Sequence, residues 1–212
     1  MTLPTGTKAL RTIVADLNGQ ARGKRLPAHA AQKLTDDGAR MPLSALNVDI
    51  AGNDIENSPL VFAAGDADGA LRPTGRGFVP APWLDTPTAL LPMWMFHDNG
   101  APFDGDPRQA LARVLERYEA KGWTPIVATE IEFCLIDDSK DTPQPAASPR
   151  SGKVRIGSDI LSSRALDGFD RFFTDLYDGA AAMDLPADAA IAEAGLGQFE
   201  VNLLHGPAMK AA

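Results

Sequence analysis

The stretch that most constrains this chain is Ala128-Thr129-Glu130-Ile131-Glu132-Phe133-Cys134-Leu135-Ile136. Its β-branched and aromatic residues predict a strand. Side chains alternate between the two faces of a strand, so Glu130 and Glu132 share one face and Ile131 and Phe133 the other. Two adjacent carboxylates repel, and either a cation lies beside them or their pKa values rise. A solvated acidic face is the ordinary explanation of such a pair. The apolar flanks argue instead for a central strand, and two acids in a central strand call for a positive partner.

A second acidic pair, Glu193 and Glu200, lies in Ala192-Glu193-Ala194-Gly195-Leu196-Gly197-Gln198-Phe199-Glu200-Val201. Gly195 and Gly197 permit a tight turn between two strands, which brings the glutamates toward one point. The four glutamates, with no nearby histidine, make an all-oxygen donor set, which suits a hard cation such as Mg²⁺ or Mn²⁺. Other chemistries find no support. The chain has no phosphate-binding G-x-x-x-x-G-K-[ST], no G-x-G-x-x-G, no G-x-S-x-G and no H-E-x-x-H. A glycosidase sets its two carboxyl groups across a cleft, and neighbours on one strand do not meet that need.

Along the chain, residues 11–17 predict a strand, and the Asn18-Gly19 turn returns toward a second one. Residues 29–37 predict a short helix ended by Gly38. Strands are expected at 44–50, 59–63 and 88–96, with a turn-rich loop over 65–77. Asp106-Pro107 opens a helix: Asp caps it, proline suits its first position, and Leu111, Val114, Leu115 and Tyr118 recur at helical spacing up to Gly122. The domain boundary is placed at this helix, separating 1–104 from 105–212. Beyond the acidic strand, 138–153 reads as a mobile polar loop, 166–184 as a helix and 189–204 as two strands. The fold class is α+β.

A net charge of −8 argues against a nucleic-acid partner. The single cysteine, Cys134, allows no internal disulfide and is expected to be a buried, inert thiol. The tryptophans Trp83, Trp94 and Trp123 are expected in the core, and the three scattered histidines as surface or packing residues. The basic run 21–25 reads as a solvated turn, or as a contact to a phosphate or a neighbouring subunit. With no signal-peptide pattern at the N-terminus and no apolar stretch of membrane-spanning length, a cytoplasmic chain without membrane contact is expected.

The segments Asp16–Pro27 (DLNGQARGKRLP), 65–73 (GDADGALRP), 128–137 (ATEIEFCLID) and 192–204 (AEAGLGQFEVNLL) occur in an order that resembles the glutamine synthetase family, especially its glutamylpolyamine synthetase-like branch. That resemblance implies a β-grasp domain followed by the first part of a catalytic domain built on an antiparallel sheet. It implies ring-forming homo-oligomers with active sites between subunits. It implies a reaction in which ATP phosphorylates the γ-carboxylate of glutamate and ammonia or an amine displaces the phosphate. Glu132, Glu193 and Glu200 would ligate the metal near glutamate and the amine, and Glu130 the metal near the ATP phosphates. Asp49 matches the acidic residue that helps take the amine's proton in a neighbouring subunit's site. Family members are considerably longer, so a truncated form with little activity, or a non-catalytic module derived from this half, is the expectation for the 212-residue chain.

Overall fold

The computed structural model describes residues 1–139 and 141–212, so Lys140 of the polar 138–153 stretch lies outside the described residues. The chain forms two compact units, Met1–Thr124 and Pro125–Ala212.

The first unit is built on a mixed sheet. Strand β1 (Ala9–Ala15) pairs with two short antiparallel strands, β2 (Ala21–Arg22) and β3 (Arg25–Pro27). A 3₁₀ turn at Ala28–Ala30 leads into helix α1 (Ala31–Asp36). The helix ends at Gly38, whose φ of +75° and lack of a side chain let the Leu71 carbonyl approach the backbone. Strands β4 (Ala39–Pro42), β5 (Asp68–Pro73), β6 (Val79–Pro80) and β7 (Thr88–Phe96) complete the order β2-β1-β7-β5-β4, with β3 also on β1 and β6 also on β7. The β1–β7 pairing is parallel and the other ladders are antiparallel.

Proline is rare in a central strand because it cannot donate to a ladder. Pro92 is tolerated in β7 because two strands share that edge. β6 meets Ala89 and Leu90, β5 begins at Met93, and Pro92 falls in the gap. Leu10, Leu46, Leu71, Leu91 and Met95 are fully enclosed and form the core.

Helix α2 (Pro107–Glu119) is anchored to this core by its cap. Buried Asp106 accepts the Arg108 amide at 2.8 Å through Oδ1, ending an orphan donor, and the Met95 amide at 2.8 Å through Oδ2. Gln109 donates to the Met95 carbonyl at 3.1 Å. The apolar stripe of α2 is only partly covered: Leu111 and Leu115 are half-buried, and Val114 and Tyr118 are exposed.

Two of the expected strands fail here for one reason: short, largely apolar runs do not distinguish strand from tight helix. Within 44–50 there is a 3₁₀ turn, Leu43–Leu46, whose two leucines are three residues apart and both buried. Only an isolated bridge, Val48 to Asp54, follows. Residues Pro59–Ala63 form a single π-helical turn. The expected loop 65–77 contains β5, in which Gly69 and Leu71 are buried between exposed Asp68 and Arg72. That alternation is a strand signal masked by glycine and aspartate. Trp83 and Trp123 are exposed rather than core. Basic residue Arg22 is held by Asp16, whose buried carboxylate also accepts the Asn18 and Gln20 amides. Burial pushes the Asp16 pKa up, but the bonds from Gln20, Arg22 and Asn18 outweigh it and hold the carboxyl below its usual range.

The second unit has a three-stranded antiparallel sheet in the order β11 (Ala187–Ala192), β12 (Gln198–Pro207), β8 (Ile126–Cys134). Strands β9 (Ile136–Asp137) and β10 (Gln144–Pro145) make a small ladder inside the polar stretch. Helices α3 (Ser163–Asp167) and α4 (Asp170–Ala182) bring Ala165, Phe169 and Phe173 against Phe199 and Val201. A short terminal helix, α5 (Ala208–Ala211), follows β12. The acidic strand was expected to be central. It is an edge strand: among the described residues, β12 is its one partner in the sheet, and Ile126, Val127 and Ile131 are exposed. Cys134 is exposed with it, against the expectation of a buried thiol.

Candidate functional site

The β8–β12 register assembles the site. Glu132 lies directly across from Glu200, and Glu130 across from Asn202. Directly paired residues lie on the same face of a sheet, so Glu130, Glu132, Glu200 and Asn202 form one polar patch. The other face carries Phe133 opposite Phe199 and Ile131 opposite Val201. Phe199 is fully buried in an aromatic cluster with Phe133, Phe169 and Phe173 at centroid distances of 6.3, 5.3 and 5.3 Å. Burial of that face therefore fixes which way the carboxylates point.

The hairpin between β11 and β12 places the fourth glutamate. Glu193 follows β11, and its amide donates to the Gln198 carbonyl at 3.0 Å. Gly197, at φ +70°, lies so close to the Leu135 carbonyl that a Cβ would stand 2.8 Å from it. Glycine at this point lets the hairpin close against the end of β8.

Gln198 is a site residue that the sequence reading did not single out. Its Nε2 donates to Glu132 Oε2 at 2.7 Å, and its Oε1 accepts the Gly195 amide at 2.9 Å. It thus ties one carboxylate to the glycine turn. The signal was present as Gln198, Glu200 and Asn202 at alternate positions of one strand.

Glu200 is the stressed group. It is 8% exposed. Burial raises its pKa, and the negative charges of Glu130, Glu193 and Glu132 raise it further, while a hydrogen bond with Asn202 works the other way. Asn202 Oδ1 is a buried acceptor with no donor among the described residues. The four glutamates and Asn202 offer oxygen donors short of positive charge, which fits a hard divalent cation chemically, and Cys134, opposite Gln198, lies at the end of the same face. These groups do not form a closed cage: among the described residues no group of three or more His, Cys, Asp or Glu side chains is arranged to hold a metal ion.

Asp49 belongs to the first unit. Its Oδ1 accepts the Ala51 amide at 2.9 Å and the Asn53 amide at 2.8 Å, and the Asn53 side-chain amide lies 3.3 Å from Oδ2. Those bonds, led by the Asn53 backbone amide, hold its carboxyl below the usual range. Asp49 is thus an ionised knot of an exposed turn, with Oδ1 engaged by two backbone amides and Oδ2 met only by the longer Asn53 contact.

Known proteins resemble this chain over most of its length. The family model described as glutamine synthetase, catalytic domain, matches residues 104–212. Gamma-glutamylputrescine synthetase PuuA of Escherichia coli (strain K12) is 35% identical over 209 residues, covering 94% of this chain and 43% of that protein. Glutamate--isopropylamine ligase of a Pseudomonas species is 25% identical over 209 residues, covering 96% and 44%. Among solved structures, a crystal structure described as a novel glutamine synthase homolog superposes with a TM-score of 0.80 at 20% identity, covering 100% of this chain and 46% of that one. The fold is that of a glutamine synthetase-like α+β protein. The chain belongs to the glutamine synthetase family. It spans less than half the length of the curated relatives it matches.

Proposed function

We propose that this chain carries the metal-binding first half of a ligase that joins the γ-carboxylate of glutamate to ammonia or an amine at the expense of ATP. In that reaction a glutamate γ-carboxylate oxygen takes the γ-phosphoryl group, releasing ADP. The amine nitrogen then attacks the carbonyl carbon, expels phosphate and loses a proton. Glu132, Glu193 and Glu200 would hold one Mg²⁺ or Mn²⁺ and Glu130 another. Such ions neutralise charge on the reacting phosphates and carboxylate. The chain's own contribution is positional. The aromatic face anchors β8 and β12, Gln198 orients Glu132, and the glycine turn brings Glu193 to the patch. Asp49 would serve at a neighbouring subunit as an ionised partner for the amine. Its lowered pKa favours charge pairing with an ammonium over full uptake of its proton.

The observation that carries this reading is the shared face of Glu130, Glu132 and Glu200, with the Glu200 pKa raised by its neighbours. Mn²⁺ titration of the chain and of a Glu132→Gln/Glu200→Gln variant tests it. Weak, saturable binding by the parent and its loss in the variant are expected; equal binding by both defeats the ligand assignment. The parallel β1–β7 pair supports a β-grasp assignment for residues 1–104. Residues 105–212 are then the catalytic part, with α2 remaining docked on the first unit through Asp106 and Gln109. A cytoplasmic, ring-forming homo-oligomer follows from the same family reading. No helix among the described residues is long and apolar enough to cross a membrane.

The exposed β8 edge favours a second reading, a non-catalytic module that pairs with other subunits. Both readings predict little turnover by the 212-residue chain alone, because the carboxylates lie on an edge strand with one open side. Robust ATP-dependent γ-glutamylamide formation by the purified chain would contradict that. Co-purification with a full-length relative, or a ring-sized assembly in light scattering, would favour the module; a strictly monomeric chain would count against it.

A further inference from the structure

The second unit contains a half-open surface hollow that shares no lining residue with the carboxylate face. It has a volume of about 460 Å³ and is lined by Ser148, Arg150, Ser151, Arg164, Asp167 and Gly168. These residues come from two segments, the turn at Ser148–Gly152 and helix α3 with the residue after it. Ser148 joins them: its hydroxyl donates to the Gly168 carbonyl at 2.9 Å. Gly168 keeps the floor open, since a Cβ there would meet Ser148 Oγ at 3.0 Å. The turn itself is closed by the Ser151 and Gly152 amides, both donating to the Ser148 carbonyl.

The wall chemistry defines what fits. Sites for drug-like ligands are walled mainly by apolar and aromatic side chains. This lining contains none, so an apolar ligand would find no partner. The lining carries two arginines and one aspartate, a net positive wall. Asp167 answers Arg150 only loosely, at 3.9 Å with both side chains largely exposed. Arg164 has no ion-pair partner among the described residues. Guanidinium forks match planar and tetrahedral oxyanions, and the Ser151 hydroxyl, whose oxygen only accepts from the Lys153 amide, adds a neutral donor.

We propose that this hollow binds a small oxyanion, with Arg164 as its principal contact and Arg150 and Ser151 completing the cradle. It is independent of the carboxylate face and of the ligase reading.

Calorimetric titration of the whole chain at low ionic strength, with inorganic phosphate in one arm and malonate in another, tests the proposal. Saturable binding in either arm is expected, and the arm that binds tells phosphate from carboxylate. Arg164→Ala should weaken it about tenfold or more, the loss of a charged hydrogen-bond partner. Asp167→Asn should tighten it several-fold by removing the competing charge. Arg171→Ala, on α4 and paired with Asp175, should leave it unchanged. Because Asp167→Asn acts in the opposite direction, a folding defect cannot imitate the pattern. Absence of saturable binding in both arms by a chain with native circular dichroism overturns the proposal. So does equal weakening by Arg164→Ala and Arg171→Ala, the mark of diffuse surface charge, or weakened anion binding in Asp167→Asn.

Discussion

Strands β7 and β8 are both nine residues long and rich in apolar side chains, yet they live in opposite environments. β7 is flanked by β1 on one edge and by β5 and β6 on the other, and Ala89, Leu91, Met93 and Met95 are fully enclosed. β8 has a sheet partner on one edge, and most of its residues are exposed, Ile131 at 47%. Apolar sequence therefore states what a strand is suited to cover, and neighbours decide whether it is covered. In β8 the polar alternate positions, Glu130 and Glu132, carry the candidate chemistry, while β7 spends its alternate positions on packing.

The largest expected effect follows directly. Leu91→Ala in β7 should cost about 2–5 kcal/mol of stability, because it opens a cavity in an enclosed core. Ile131→Ala in β8 should cost well under about 1 kcal/mol, since half its side chain already meets water. Urea unfolding of both variants compares them. Equal losses would break the contrast between the strands. Phe199→Ala sharpens it by separating strand position from unit: this residue is fully buried in the second unit and should cost about 3–5 kcal/mol, like a core aromatic anywhere.

What the sequence disclosed follows the same division. β7 and the capped start of α2 were legible because local signals and tertiary partners agree there: Asp106 caps the helix and also bonds Met95. The shared face of Glu130 and Glu132 was legible from period two alone. The edge position of β8 was not, because periodicity carries no information about which edges are filled. The strands expected at 44–50 and 59–63 gave way to tight helical turns, because a short, largely apolar run fits either conformation. Gln198 escaped because its role depends on a partner 66 residues away in sequence, Glu132.

The smaller effect concerns the pH dependence that crowding of the acids builds in. The folded-state pKa of Glu200 is raised, by burial first and then by Glu130, Glu193 and Glu132. The native state therefore holds this proton more tightly than the unfolded chain does. By linkage, the stability this contributes is fully present below the ordinary glutamate pKa and is lost as pH rises through the raised value. Glu200→Gln removes the charge that appears in that window while keeping the shape. Thermal unfolding at pH 7 should show the variant melting a few degrees higher than the parent, with the gap closing near pH 4. A divalent cation should stabilise the parent at pH 7 and leave the variant nearly unchanged, since the relieved charge is then absent. A variant less stable than the parent at pH 7 would mean that ionised Glu200 is already compensated within this chain. The carboxylate face would then be an ordinary solvated surface, and β8 would differ from β7 in exposure but not in purpose.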